Sequence, residues 1–217
     1  MKTTLFSKQT FALVACALLG ATTSHASSFL FHIDVNTTPL MGNANGPFSL
    51  DFQLNDGSAA GGDANNAVTL SNFNFGGGTV SGDPTLLGGA TGNLSSSITI
   101  TDSAFGNEIF QGFTPGSTLG FEVSITRNVD SGVTPDSFSF AILDSNLSNI
   151  PTTGGGDSLA TLDLNSTSLN VSNVQTFSST GVDTGGVTVA AVPEPSSVAM
   201  VGLGMAGLYS FMRRRRA

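Results

Sequence analysis

The central part of this chain predicts an all-β fold, an antiparallel β-sandwich of jelly-roll type, and three observations carry that reading. Apolar and polar residues alternate strictly in short runs, Gly-rich and Pro-Gly turns separate the runs, and no ten-residue stretch between them has helical periodicity. With 217 residues the chain has room for one ordinary domain, and 16 Phe supply apolar bulk for its core. The 27 Gly follow no G-X-Y period, which excludes a collagen helix. A mean hydropathy of +0.19 is too apolar for an acidic disordered tail.

The chain opens with Lys2 and Lys8, an apolar run from Phe11 to Leu19, and Ser24-His25-Ala26 before Ser27. Residues 1–26 therefore read as a secretory signal peptide cleaved between Ala26 and Ser27. The apolar run is about half of the ~20 residues that a permanent membrane helix needs.

Residues 27–192 read as the β-sandwich. Phe29 to Val35 is a first strand. Phe48-Ser49-Leu50-Asp51-Phe52-Gln53-Leu54 puts four apolar residues on one face and three polar ones on the other. Val68 to Phe75 alternates but changes face at Ser71-Asn72, which predicts a β-bulge. Ser97 to Thr101, Asn107 to Phe113, Phe121 to Thr126, Ser137 to Phe140, Thr161 to Leu164, Leu169 to Phe177 and Val187 to Val189 complete nine or ten strands. Turns are expected at Asn55-Asp56-Gly57, Gly76-Gly77-Gly78, Gly88-Gly89, Thr114-Pro115-Gly116 and Gly154-Gly155-Gly156. No repeat of constant length supports the alternative, a β-solenoid.

Residues 193–217 form a third part. Pro193-Glu194-Pro195 cannot lie inside a helix, so an apolar helix starts after it and runs over 198–212, ahead of Arg213, Arg214, Arg215 and Arg216. Fifteen residues give about 22 Å of helix, short of a ~30 Å hydrocarbon core. The arginines place the C-terminus in the cytoplasm. VPEPSS, a short Gly-rich apolar helix and a terminal RRRR resemble the PEP-CTERM sorting signal of Gram-negative bacteria, also labelled an ice-binding-protein C-terminal domain. That resemblance implies recognition of Pro193, Glu194 and Pro195 by exosortase, stop-transfer by Arg213 to Arg216, and a transient inner-membrane anchor. Release to the cell surface or an exopolysaccharide matrix would follow export by the Sec machinery. LDFQLNDG, TLSNFNFGGG and FQGFTPGSTLGFEVSIT also resemble a recurring group of PEP-CTERM ectodomains, a likeness that implies a β fold and no activity.

Residues 27–192 hold 14 acidic side chains and one base, Arg127, so nucleic acid is excluded as a partner. The same segment lacks Cys, Lys, Trp and Tyr, which removes thiol, Schiff-base and phosphate-clamp chemistry. Its single histidine, His32, reads as the solvent face of an edge strand, with no G-x-S-x-G elbow to pair with it. A carboxylate pair is the remaining catalytic device, for which the two glutamates Glu108 and Glu122 would be the first to replace. The expected role is non-enzymatic, structural or adhesive. A module binding exopolysaccharide or Ca²⁺ is the alternative, and a carboxylate glycosidase a third.

No cofactor is expected, and no complete metal motif is present. The nearest approach is the acidic loop with Asp56, Asp63 and Asn65, whose oxygens at alternate positions suit Ca²⁺. Asn36, Asn93, Asn146, Asn165 and Asn170 stand in Asn-x-Ser/Thr triplets, and Asn36, Asn146 and Asn165 also follow an Asp by two residues.

Overall fold

The computed structural model describes residues 28–57, 61–126, 128–129, 134–180 and 186–192. Among them, twelve strands form two six-stranded antiparallel sheets. The strands are β1 (Ser28–Asn36), β2 (Phe48–Asn55), β3 (Ala67–Asn74), β4 (Thr79–Leu87), β5 (Gly89–Gly92) and β6 (Ile98–Thr101), then β7 (Gly106–Thr114), β8 (Thr118–Thr126), β9 (Ser137–Leu143), β10 (Ala160–Asp163), β11 (Gln175–Thr176) and β12 (Val187–Ala191). Sheet A runs β12-β1-β8-β3-β6-β5 and sheet B runs β11-β10-β9-β2-β7-β4.

The pairing is nested: β1 meets β8, β2 meets β7 and β3 meets β6, while β4 leads through Gly88 into β5 on the other sheet. A long hairpin rolled up in this way is the jelly roll that the alternation predicted. β9, β10 and β11 widen sheet B, and β12 widens sheet A. The non-local pairing has no solenoid repeat in it.

Alternation decides which side chains meet. Phe48, Leu50, Phe52 and Leu54 of β2 face Phe121, Val123 and Ile125 of β8 through a core in which each is at most 2% exposed. Rings from the two sheets make its centre: Phe52 lies 5.3 Å from Phe121, and Phe121 lies 5.1 Å from Phe140, both edge to face. The bulge stands where alternation breaks, between Ser71 and Asn74, with Asn72 at φ 56°.

Three expectations need correction. β1 is not an edge strand, because β12 pairs along it from Phe31 to Val35. Leu169 to Phe177 is mostly not a strand: Asn170 accepts from Ser172 N–H at 2.9 Å and closes a 3-10 turn over Val171–Asn173, leaving only β11. β4 and β5 were not foreseen, because most of β4 is exposed and its register slips between Ser81 and Thr85, at Gly82-Asp83-Pro84. Proline is tolerated there because a bulged edge strand leaves its missing N–H unneeded.

Two buried amides hold that irregular edge. Asn107 of β7 donates to Leu54 O (3.0 Å) and Ala104 O (2.6 Å) and accepts from Gly89 N (2.8 Å) and Ala104 N (3.1 Å). Gln111 accepts from Leu94 N at 2.8 Å and donates to Gly82 O at 2.8 Å. Asn107→Ala is expected to destabilise the domain by about 2–3 kcal/mol in urea titrations, because it strands several buried backbone groups at once. A change below about 0.5 kcal/mol would mean that water replaces those bonds freely. The β3–β4 and β7–β8 turns also interlock. A Cβ on Gly78 would meet Thr114 O at 2.1 Å, and one on Gly116 would meet Phe75 O at 2.2 Å.

Candidate functional site

Each of four strands continues its inward-facing phase by one step into a polar residue. Asp56 follows Phe52 and Leu54, Asn66 precedes Val68 and Leu70, Asp102 follows Ile98 and Ile100, and Asp136 precedes Phe138 and Phe140. All four lie at one end of the sandwich and are at most 2% exposed. Asn66 is the hub. Its backbone N–H donates to Asp102 Oδ2 (3.0 Å), its Nδ2 to Asp136 Oδ2 (2.8 Å) and Asn128 O (3.0 Å), and its Oδ1 accepts from Asn128 N (3.0 Å) and Thr126 Oγ1 (3.1 Å). Gly57 N–H caps Asp136 Oδ1 at 2.9 Å.

Of the residues read as calcium candidates, only Asp56 is buried in this layer. Asp63 is exposed, and its carboxylate accepts from Asn65 N (3.1 Å) and Nδ2 (2.6 Å), so it closes a turn within its own loop. Asp63 N–H in turn donates to Asp56 Oδ2 at 3.0 Å. Asp102 and Asp136 were missed, since neither carries a motif. The signal that finds them is an acidic residue on the core phase just past a strand end. Burial pushes the Asp102 carboxyl up to about 7. The Asn66 N–H pulls it the other way, while the neighbouring Asp136 and, more weakly, Asp63 raise it further. No Lys or Arg occurs among the described residues.

The outer face of sheet B holds a second carboxyl pair. Asp51 of β2 points away from the core yet is only 3% exposed, with Phe110 and Ala141 opposite it on the flanking strands. Its Oδ2 accepts from Gln53 Nε2 at 2.8 Å, and the same amide stands 3.5 Å from Glu108 Oε1. Burial, then the charge of Glu108, pushes Asp51 up to about 7. Beside it a groove of about 280 Å³ has Ser49, Ser81, Asp83, Thr85, Phe110 and Gly112 in its lining.

Glu122 lies on the outer face of sheet A, where Asn72 Nδ2 donates to it at 2.8 Å and His32 is its cross-strand partner. Glu108 and Glu122 thus stand on opposite outer faces, separated by the core, and cannot flank one glycosidic bond. His32 Nε2 contacts Asp34 Oδ1 at 3.2 Å on the same outer face.

The remaining Asp-x-Asn units are ordinary local structure. Asp144 accepts from Ser148 N (3.0 Å) and Asn146 N (2.8 Å), and these donors hold its carboxyl below the usual range. Asp163 and Asn165 line a polar cleft of about 190 Å³ with Thr161, Ser172, Asn173 and Gln175. Among the glycosylation triplets Asn36, Asn146, Asn165 and Asn170 are exposed, and Asn93 is half-buried. Among the described residues, no three Asp, Glu, His or Cys side chains are grouped to hold a metal ion.

The signal cleavage residues Ala26 and Ser27, Pro193-Glu194-Pro195, the helix expected at 198–212 and Arg213 to Arg216 lie outside the described residues. So does Arg127. Among the described residues no helix is long and apolar enough to cross a membrane. The family model of the PEP-CTERM protein-sorting motif matches residues 191–216. No curated protein and no solved structure matches the chain. The chain carries a PEP-CTERM sorting motif, which begins at the last residue of β12 and marks it as an exported, exosortase-directed surface protein.

Proposed function

We propose that the β-sandwich is the non-catalytic, structural or adhesive part of a cell-surface or extracellular-matrix protein. In this reading the Sec machinery exports the chain, a helix over 198–212 holds it briefly in the inner membrane, and exosortase releases it. The carrying observation is the sorting motif set directly against β12, so that the folded domain is what the motif delivers. The opposite placement of Glu108 and Glu122 counts against a glycosidase built on those two residues.

Mass spectrometry of both termini of the protein from its host's surface and medium tests the reading. The expected mature chain starts at Ser27 and lacks residues 198–217. A chain still ending in Arg216-Ala217 in the inner-membrane fraction would instead make it a permanently anchored protein.

A second reading, an exopolysaccharide-binding module, is favoured by the groove on sheet B, where the half-buried ring of Phe110 adjoins the hydroxyls of Ser49, Ser81 and Thr85. Retention of matrix polysaccharide by the exported protein, lost in Phe110→Ala with the fold intact, would support that reading. Equal retention by the variant would remove it.

A further inference from the structure

We propose that Asp102 and Asp136 hold a divalent cation, Ca²⁺, that ties the two sheets together at the acidic end of the sandwich. Asp102 directly follows β6 of sheet A and Asp136 directly precedes β9 of sheet B, so one ion bound by both spans the layers. The second observation is the state of Asp102. It has no solvent exposure, Oδ2 takes the Asn66 N–H, and no N–H donor reaches Oδ1, while the Asp136 carboxyl lies within hydrogen-bonding reach of this one. A buried carboxylate oxygen without a donor costs several kcal/mol unless a cation or a proton meets it. Asp136 and Asp63 surround it with negative charge.

The chemistry of the donors selects the ion. Every group here is a hard oxygen, from carboxylates, side-chain amides and backbone carbonyls, with no imidazole or thiol, which excludes a zinc-type set. Ca²⁺ accepts six to eight oxygens in flexible geometry and takes neutral carbonyls and waters beside one or two carboxylates, whereas Mg²⁺ demands a tighter octahedron. Two carboxylates rather than three or four place the site in the weak extracellular class, with Kd of about 10⁻⁴ to 10⁻³ M.

The test is thermal unfolding of the exported protein at fixed ionic strength in EDTA, in 10 mM CaCl₂ and in 10 mM MgCl₂. CaCl₂ is expected to raise Tm by roughly 3–10 °C over EDTA, with a clearly smaller effect of MgCl₂. Asp102→Asn keeps an oxygen for the Asn66 N–H and is expected to fold and lose the calcium shift, as is Asp136→Asn. Asp51→Asn, on the other sheet face, is expected to retain it. Calorimetric titration of the unmodified protein with CaCl₂ gives the affinity even if a variant fails to fold. No calcium shift, an equal shift in MgCl₂, or a shift that survives in both Asp102→Asn and Asp136→Asn would overturn the proposal.

Discussion

Phe52→Ala is expected to destabilise the sandwich by about 3–5 kcal/mol, the largest loss from any single truncation in its core. Phe52 is 1% exposed at the centre of sheet B and touches rings from both sheets: Phe140 at 5.1 Å, Phe121 at 5.3 Å and Phe73 at 6.2 Å. Removing it takes away apolar burial and leaves a void bounded by other rings, which β-strands pinned on both sides cannot collapse to fill. Each lost ring pair adds about 0.5–1.5 kcal/mol beyond area. Against a total stability of about 5–15 kcal/mol the variant would be near its folding limit. Urea unfolding measures the loss, with Phe52→Leu expected to cost markedly less. A loss below about 1 kcal/mol for the alanine variant would show that the core relaxes around the site and is not close-packed there.

The second large effect is on pH. The protein is expected to become less stable as pH rises from about 4 to 7, through Asp51. Burial and the nearby Glu108 raise its carboxyl from 3.8 to about 7 in the folded state. A group that holds its proton more tightly when folded contributes fully below its unfolded pKa and loses that contribution as pH climbs to the folded one. The slope is at most about 1.4 kcal/mol per pH unit for one such group. Glu108 is the titratable group the structure sets beside Asp51. Asp51→Asn keeps an acceptor for Gln53 and adds a donor toward Glu108, so it should remove about half of the slope and be more stable than the parent at pH 8. Urea titrations in EDTA at pH 4, 5.5 and 8 measure this. Asp102 is raised to about 7 as well and contributes a slope of the same sense and similar size, which Asp51→Asn leaves in place. Stability that rises with pH across this window in the parent protein would contradict the assignment.

Asp51 also shows where sequence reasoning reaches its limit. Its place in Phe48 to Leu54 gave its face correctly, since it points away from the core with Ser49 and Gln53. Ser49 and Gln53 are half-buried as alternation predicts, but Asp51 is covered, because Phe110 and Ala141 reach it from neighbouring strands 59 and 90 positions along the chain. The pairing with Glu108 was equally invisible. Chain distance said nothing of β7 lying beside β2, and the two glutamates singled out together proved to be on opposite outer faces.

The sequence by itself determined the character of the strands, their inward faces, the bulge at Ser71-Asn72 and the sorting motif. These depend on a two-residue period, on local backbone conformation, or on a contiguous recognition segment, all written within a few residues. Tertiary structure alone decided that β12 covers β1, that the exposed run over β4 is a strand, and that Asp102 meets Asp136 across the sheets. The physical reason is that a jelly roll pairs strands far apart in the chain. Each buried acid there has its environment set by which distant strand ends next to it, and the period of its own strand does not encode that.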